Sequence, residues 1–468
     1  MNAIVSLKNV SVVSGGTAIL HPLNLRIRDG EQWAIIGSSG SGKTTLAHAL
    51  TGKIFHQGEI IFNLGGGKPA FVEQQHHFKN LSNTSEFYYQ QRFNSMDADN
   101  SITVREALGD DPRMNEWTGR LHLDALMDKP LIQLSNGENK RLQLVKVLQA
   151  HPPLIIFDNP FTGLDIEGRK TFDNILNNIC HSGIHILIIT NPATLPSAIT
   201  HVALLVKGRL VKAGRKDVIE IPATAEATAA TTSLLAALAP HEAPFSYAVK
   251  MTAVTVRYGD KIILDNINWI VKKGDCWRVS GPNGAGKSTL LSLLTADNPQ
   301  AYANEVYLFD QRRGAGESIW DIKKRIGYIS PELHLHFDQS STCSEVIASG
   351  LFDTIGLFRL LSDSQRQIVS TWLDIMHLEE FQHKTLRQLS TGQQRMTLLA
   401  RAMVKNPPVL ILDEPCQGLD DQQVTFIREL VDRIHSVFNT TVIYVSHYDH
   451  ELPSCIDKFL ELENGKIK

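Results

Sequence analysis

Two stretches of the chain alternate in polarity: VSLKNVSVV at Val5–Val13 and YAVKMTAVTVRY at Tyr247–Tyr258. That spacing predicts strands with one buried face. Each is followed by a short apolar run, WAII at Trp33–Ile36 and WRVS at Trp277–Ser280, then a glycine-rich turn and a helical run, TTLAHAL or STLLSLL. Later apolar runs end in an acid and turn sharply: LIIFDNPFTGLD at Leu154–Asp165 and LILDEPCQGLD at Leu410–Asp420. Strand–loop–helix units followed by strand–turn units predict an α/β fold with a largely parallel sheet.

The elements come as two copies. GSSGSGKT at Gly37–Thr44 recurs as GPNGAGKS at Gly281–Ser288, and LSNGE at Leu134–Glu138 recurs as LSTGQ at Leu389–Gln393. The offset from Lys43 to Lys287 is 287 − 43 = 244, and from Ser135 to Ser390 it is 390 − 135 = 255. From Asp158 to Asp413 it is again 413 − 158 = 255. Ordered motifs at matched spacing are an internal repeat. Between the copies, PATAEATAATTSLLAALAPHEAP is rich in Ala and Thr, poor in charge and bounded by prolines, so it reads as a linker with a short helix at Ser233–Ala239. The expected domains are 1–217, a linker at 218–247, and 248–468.

Composition removes several classes of function. With 46 Lys+Arg against 49 Asp+Glu in 468 residues, the charge balance argues against nucleic-acid binding through a broad basic surface. No apolar run reaches the ~18–20 residues of a membrane span, and the N-terminus lacks the pattern of a signal peptide. Five scattered cysteines without a CxxC pair read as reduced thiols of a soluble, cytoplasmic protein. Cys416 reads as packing. His76–His77 and the basic clusters Arg312–Arg313 and Lys323–Arg325 read as solvated surface, and Trp33 and Trp277 as core.

GxxxxGK[ST] after an apolar strand is a phosphate-binding loop, whose glycines let backbone N–H groups converge on phosphate oxygens at a helix N-terminus. It assigns nucleotide binding to Gly37, Ser38, Ser39, Gly40, Ser41, Gly42, Lys43, Thr44 and Thr45 in the first copy. The second copy supplies Gly281, Pro282, Asn283, Gly284, Ala285, Gly286, Lys287, Ser288 and Thr289. Thr44 with Asp158, and Ser288 with Asp413, are the expected Mg²⁺ ligands beside ATP.

A phosphate loop, an LSGGQ-like signature and an acid-ended strand together resemble the ATP-binding cassette (ABC) ATPases. The resemblance covers the chain apart from its linker. It implies two tandem P-loop domains, each a mixed, largely parallel sheet with a helical subdomain. It also implies that one cassette's phosphate loop is completed by the other's signature, Ser135, Asn136, Gly137 and Glu138 or Ser390, Thr391, Gly392 and Gln393, with Asp165 and Asp420 linking the two sites. DNPQAYANEVYLFDQRRGAGESIWDIKKRIGYIS at Asp297–Ser330 further resembles the second cassette of the ModF/PhrA-type tandem proteins.

The resemblance assigns hydrolysis to a carboxylate after the strand-end acid and to a histidine ending a later strand. The second copy carries both, Glu414 and His447, and Tyr258 matches the aromatic that stacks on adenine. The first copy has Asn159, Asn191 and Ser14 there. An amide cannot accept a proton at neutral pH, so the first loop should bind ATP and turn it over slowly. The main ATPase turnover should fall to the second loop paired with Ser135–Glu138. The glutamine expected near the γ-phosphate fits Gln74 in the first copy; the second has Pro331 there, with Glu332 next. The implied role is the ATP-binding component of a transporter, on the cytoplasmic face of a membrane, driving an integral permease on a separate chain. Self-association of the chain is compatible with this. The alternative is a soluble ATPase switch acting on a ribosome or on DNA.

Overall fold

The computed structural model describes residues 3–14, 16–38, 40–72, 102–109, 114–131, 134, 136–161, 164, 166–190, 195–219, 234–235 and 244–468, without the side chains of 14, 17, 114–116, 136, 166, 335 and 336. The chain divides into two compact units, in the main at Thr224 and Ala225.

In the first unit, β1 (Ala3–Ser14) pairs antiparallel with β2 (Thr17–Arg28) and with β4 (Gln57–Phe62). A second sheet contains β3 (Trp33–Ile36), β5 (Ala70–Val72), β6 (Leu154–Asp158), β7 (His185–Ile189), β8 (His201–Val206) and β9 (Arg209–Arg215). Its order is β5-β6-β7-β3-β8-β9, parallel except for β9. The second unit repeats this plan. An antiparallel sheet joins β10 (Tyr247–Tyr258), β11 (Lys261–Lys272), β13 (Glu305–Leu308) and β14 (Gln311–Arg312). The larger sheet is built from β12 (Cys276–Ser280), β15 (Ile326–Ile329), β16 (Val409–Asp413), β17 (Thr441–Val445), β18 (Lys458–Glu463) and β19 (Lys466–Ile467). Its order is β15-β16-β17-β12-β18-β19, parallel except for β19.

The continuous apolar runs follow from this layering. Both faces of each larger sheet are covered, so neighbouring residues of β6 enter different cores: Ile155 and Phe157 join one cluster, Leu154 and Ile156 the other. The alternating β1 and β10 break their pattern at matched points. Asn9 and Ala253 have positive φ (50° and 51°), each beside a register shift. Such bulges turn the strand and restore the buried phase beyond them. In the second unit, the helices Cys343–Ser349, Asp363–Ile375 and Thr391–Met403 pack into one core with Trp372 and Met396. Leu235, in the stretch read as linker, is fully buried in that same core.

Candidate functional site

Each phosphate loop leaves the carboxyl end of a central strand, β3 or β12, and enters a helix, Lys43–Leu50 or Lys287–Leu294. In open α/β sheets, this end of the strands is where ligands bind. Gly42 and Gly286 cap these helices in a left-handed conformation (φ 96° and 104°). At Gly37 a Cβ would lie 2.1 Å from the Leu205 carbonyl oxygen, and at Gly281 2.2 Å from that of Leu462. Lys43 Nζ donates to the carbonyls of Gly37 (2.7 Å) and Ser38 (2.8 Å), and Lys287 Nζ to those of Gly281 (2.7 Å) and Pro282 (3.1 Å). Each lysine is thus folded back over its own loop.

The strand-end acids face these helices. Thr44 Oγ1 donates to Asp158 Oδ2 at 2.9 Å, which sets two hard oxygen ligands side by side, as Mg²⁺ requires. Asp413 is buried, and burial, then the charges of Glu332 and Glu414, push its carboxyl well above the usual range. A bound cation would relieve that repulsion. Among the described residues no group of three or more His, Cys, Asp or Glu is clustered to hold a metal by itself.

The residue after each acid occupies the same backbone seat. Asn159 and Glu414 are both left-handed (φ 44° and 46°), and their N–H groups donate to Ile189 O (2.8 Å) and Val445 O (2.9 Å) on the neighbouring strand. The side chains differ. Asn159 Nδ2 donates to Asp158 Oδ1 at 3.2 Å. Glu414 Oε1 stands 3.4 Å from His447 Nε2, an ion-pair distance, and Gln417 Nε2 donates to its Oε2 at 3.2 Å. The two meet because β16 and β17 are adjacent and in register, with Asp413 opposite Val445. Burial would raise the Glu414 carboxyl, but the His447 ring, then Lys287 and Arg395, outweigh it and hold the group below its ordinary value.

Comparison with known proteins shows the family. Residues 20–162 and 264–417 match the ABC transporter family. The chain belongs to that family. It is a tandem ATP-binding cassette protein, and its family binds ATP. It is 36% identical over 465 residues to the ABC transporter ATP-binding protein ModF of Escherichia coli, covering 95% of this chain and 94% of that protein. It is 29% identical to an uncharacterized ABC transporter ATP-binding protein of Schizosaccharomyces pombe, covering 100% and 99%. Among solved structures, an archaeal ribosome recycling factor crystallised with the ribosomal stalk protein aP1 is similar in fold (TM-score 0.57, 17% identity, 98% and 89% coverage).

The signature of the second cassette begins the helix Thr391–Met403. Ser390 Oγ accepts from Gln393 N (3.3 Å) while Gln393 Oε1 accepts from Ser390 N (2.9 Å), a capping box. In the first cassette, Gly137 and Glu138 lie in the helix Asn136–Leu148, and Glu138 Oε2 accepts from Lys129 Nζ at 2.8 Å. Asp420 caps the helix Asp421–Phe438 through Gln423. Tyr258 is half-buried and its hydroxyl accepts from Asn298 Nδ2 at 3.1 Å. Pro331 opens the short helix Pro331–His336 behind the cap Ser330, with Glu332 in its first turn. Ser39, Gln74, His76, His77, Ser135, Asp165 and Asn191 lie outside the described residues, as do the side chains of Ser14 and Asn136.

Cys416 is buried beside the Tyr444 hydroxyl (3.2 Å), and burial pushes its thiol up to about 12, so it is a packed and unreactive sulfur. Of the basic clusters, Arg312 and Lys324 are exposed as expected, but Arg313 and Arg325 need correction. Arg313 is buried, paired with Glu317 at 2.5 Å and set over the Tyr302 ring, while Arg325 lies 4.4 Å from the Phe309 ring centroid. Both are cations packed on aromatic faces. Sequence reasoning also missed Arg395, which lies fully buried behind the Glu414 seat.

Proposed function

We propose that ATP is turned over at the second cassette's phosphate loop and held, with slow turnover, at the first. The observation that carries this reading is the contrast between the two strand ends. Glu414 is an ionised carboxylate beside His447, whereas Asn159 spends its amide on Asp158. Glu414 accepts the proton of the attacking water, and His447 orients the carboxylate. Lys287 would turn from its own loop to the phosphates, and the backbone N–H groups at Asn283–Gly286 would cradle them. Mg²⁺ would be held by Ser288 and Asp413, and in the first cassette by Thr44 and Asp158, where it neutralises phosphate charge.

Losing a general base costs about 10²–10⁴ in rate. Glu414→Gln should therefore lower steady-state ATPase activity by about that factor and leave ATP binding intact. Asn159→Glu alone should raise activity by less than about twofold, since its partner position also lacks the histidine. Glu414→Gln keeping most of the rate would overturn the assignment.

We further infer that the chain is a cytoplasmic ATP-binding component driving an integral membrane permease on another chain. The likeness to ModF supports this, and no helix among the described residues is long and apolar enough to cross a membrane itself. The fold likeness to a ribosome recycling factor keeps a soluble switch as the second reading. The Glu414→Gln chain with ATP is the bait that separates them: recovery with an integral protein from detergent-solubilised membranes supports the first, and co-sedimentation with ribosomes the second.

A further inference from the structure

Arg395 lies in the signature helix Thr391–Met403, two residues beyond Gln393, and none of its surface is exposed. Its guanidinium donates to four backbone carbonyls. Nε reaches Pro415 O (3.0 Å), Nη1 reaches Ser330 O (3.1 Å), and Nη2 reaches both Asp413 O (3.1 Å) and Glu414 O (2.5 Å). A cation taken out of water is costly unless its donors are satisfied. Here strand-end carbonyls meet that demand, with the Asp413 and Glu414 carboxylates near enough to act on it through their charge. The planar, rigid fork of Arg spans the ends of β15 and β16 at once, which a lysine ammonium cannot do.

The carbonyls it holds are those immediately before, at and after the Glu414 side chain. Glu414 occupies a left-handed conformation that a long side chain adopts only when its surroundings over-determine it. The equivalent residue of the first cassette is Lys140 (395 − 140 = 255), whose Nζ donates to Pro160 O at 2.6 Å. The copy with a carboxylate in the seat has the fork, and the copy with an amide has the point charge.

We infer that Arg395 is a positioning residue for turnover: it ties the backbone seat of Glu414, and the Ser330 turn, to the signature helix of the same cassette, so that a shift of that helix is felt at the base. This rests on the reading of Glu414 as the base.

The test is a double-mutant cycle on the full chain with ATP, using Arg395→Lys, Glu414→Gln and both together, reading kcat, KM and the affinity for ATP. Misplacement of a catalytic group by about 1 Å can cost ~10²-fold. Arg395→Lys should lower kcat by about 10- to 100-fold and leave KM and ATP affinity within about twofold. In the Glu414→Gln background it should cost almost nothing more, because the group it positions is already gone. An unchanged kcat in Arg395→Lys beside a dead Glu414→Gln overturns the inference and leaves the reading of Glu414 standing. So does a loss that adds in full to that of Glu414→Gln, or one that falls on ATP affinity, because each marks a merely structural role. A Glu414→Gln chain that keeps its rate overturns both. Should Arg395→Lys melt early, Arg395→Gln, neutral and with its amide nitrogen at the place of Nε, the atom that donates to Pro415 O, takes its place with the same expectations.

Discussion

At the scale of single residues, the contrast between Arg395 and Lys140 has a consequence for pH. Desolvation, with the charge of Arg169 adding to it, pushes Lys140 down from 10.5 to about 7. Between those values the unfolded chain binds more protons than the folded one, so the stability of the first cassette rises with pH across that window. Below about 7 the charge is buried in the folded state, and its cost is present in full. Unfolding of the full chain in urea at pH 7, 8.5 and 10 should show the first cassette's transition climbing, by at most about 1.4 kcal/mol per pH unit. Lys140→Met should flatten that climb. Arg395 is expected to give no such slope, because a guanidinium stays charged throughout.

At the scale of elements, the phosphate loop separates two costs a glycine can avoid. Gly281→Ala meets both a positive φ (145°) and a Cβ 2.2 Å from the backbone oxygen of Leu462 in β18, whereas Gly284 (φ 83°) has nothing within 4 Å. Gly284→Ala should cost about 1–2 kcal/mol of strain and weaken ATP binding slightly. Gly281→Ala should push β18 away from β12 and abolish nucleotide binding at that loop, as equilibrium titration with a fluorescent ATP analogue would measure. These elements were legible in the sequence because sheets covered on both faces require continuous apolar runs, such as LIIFD and VIYV, and because a phosphate loop must spend glycines where backbones crowd. The same logic explains what was not legible. Arg395 binds backbone carbonyls, which every residue type carries, so its partners leave no trace in the sequence. The left-handed seat of Glu414 runs against the preference of its side chain and is imposed by β17 and the residues around it. Arg313 read as surface although its partner Glu317 lies only four residues away in sequence, because Tyr302, which shields it, comes from a different segment.

At the scale of the whole molecule, two units of one plan carry different residues at their strand ends, Asn159 and Glu414, and the stretch between them is more than a tether. Leu235 is buried among Cys276, Trp372 and other core residues of the second unit. Leu235→Ala should therefore destabilise that unit by about 2–5 kcal/mol and leave the first unit's urea transition in place, a result visible as one shifted and one unshifted step. The Asn159–Pro160 pair has a consequence over a longer time. Asparagines age by attack of the following residue's backbone nitrogen on the side-chain amide, which leaves aspartate behind. Proline has no N–H to supply that attack, and here its carbonyl is held by Lys140. That route from Asn159 to a carboxylate is closed, which leaves only the far slower direct hydrolysis of the amide, so the difference between the two strand ends is long-lived.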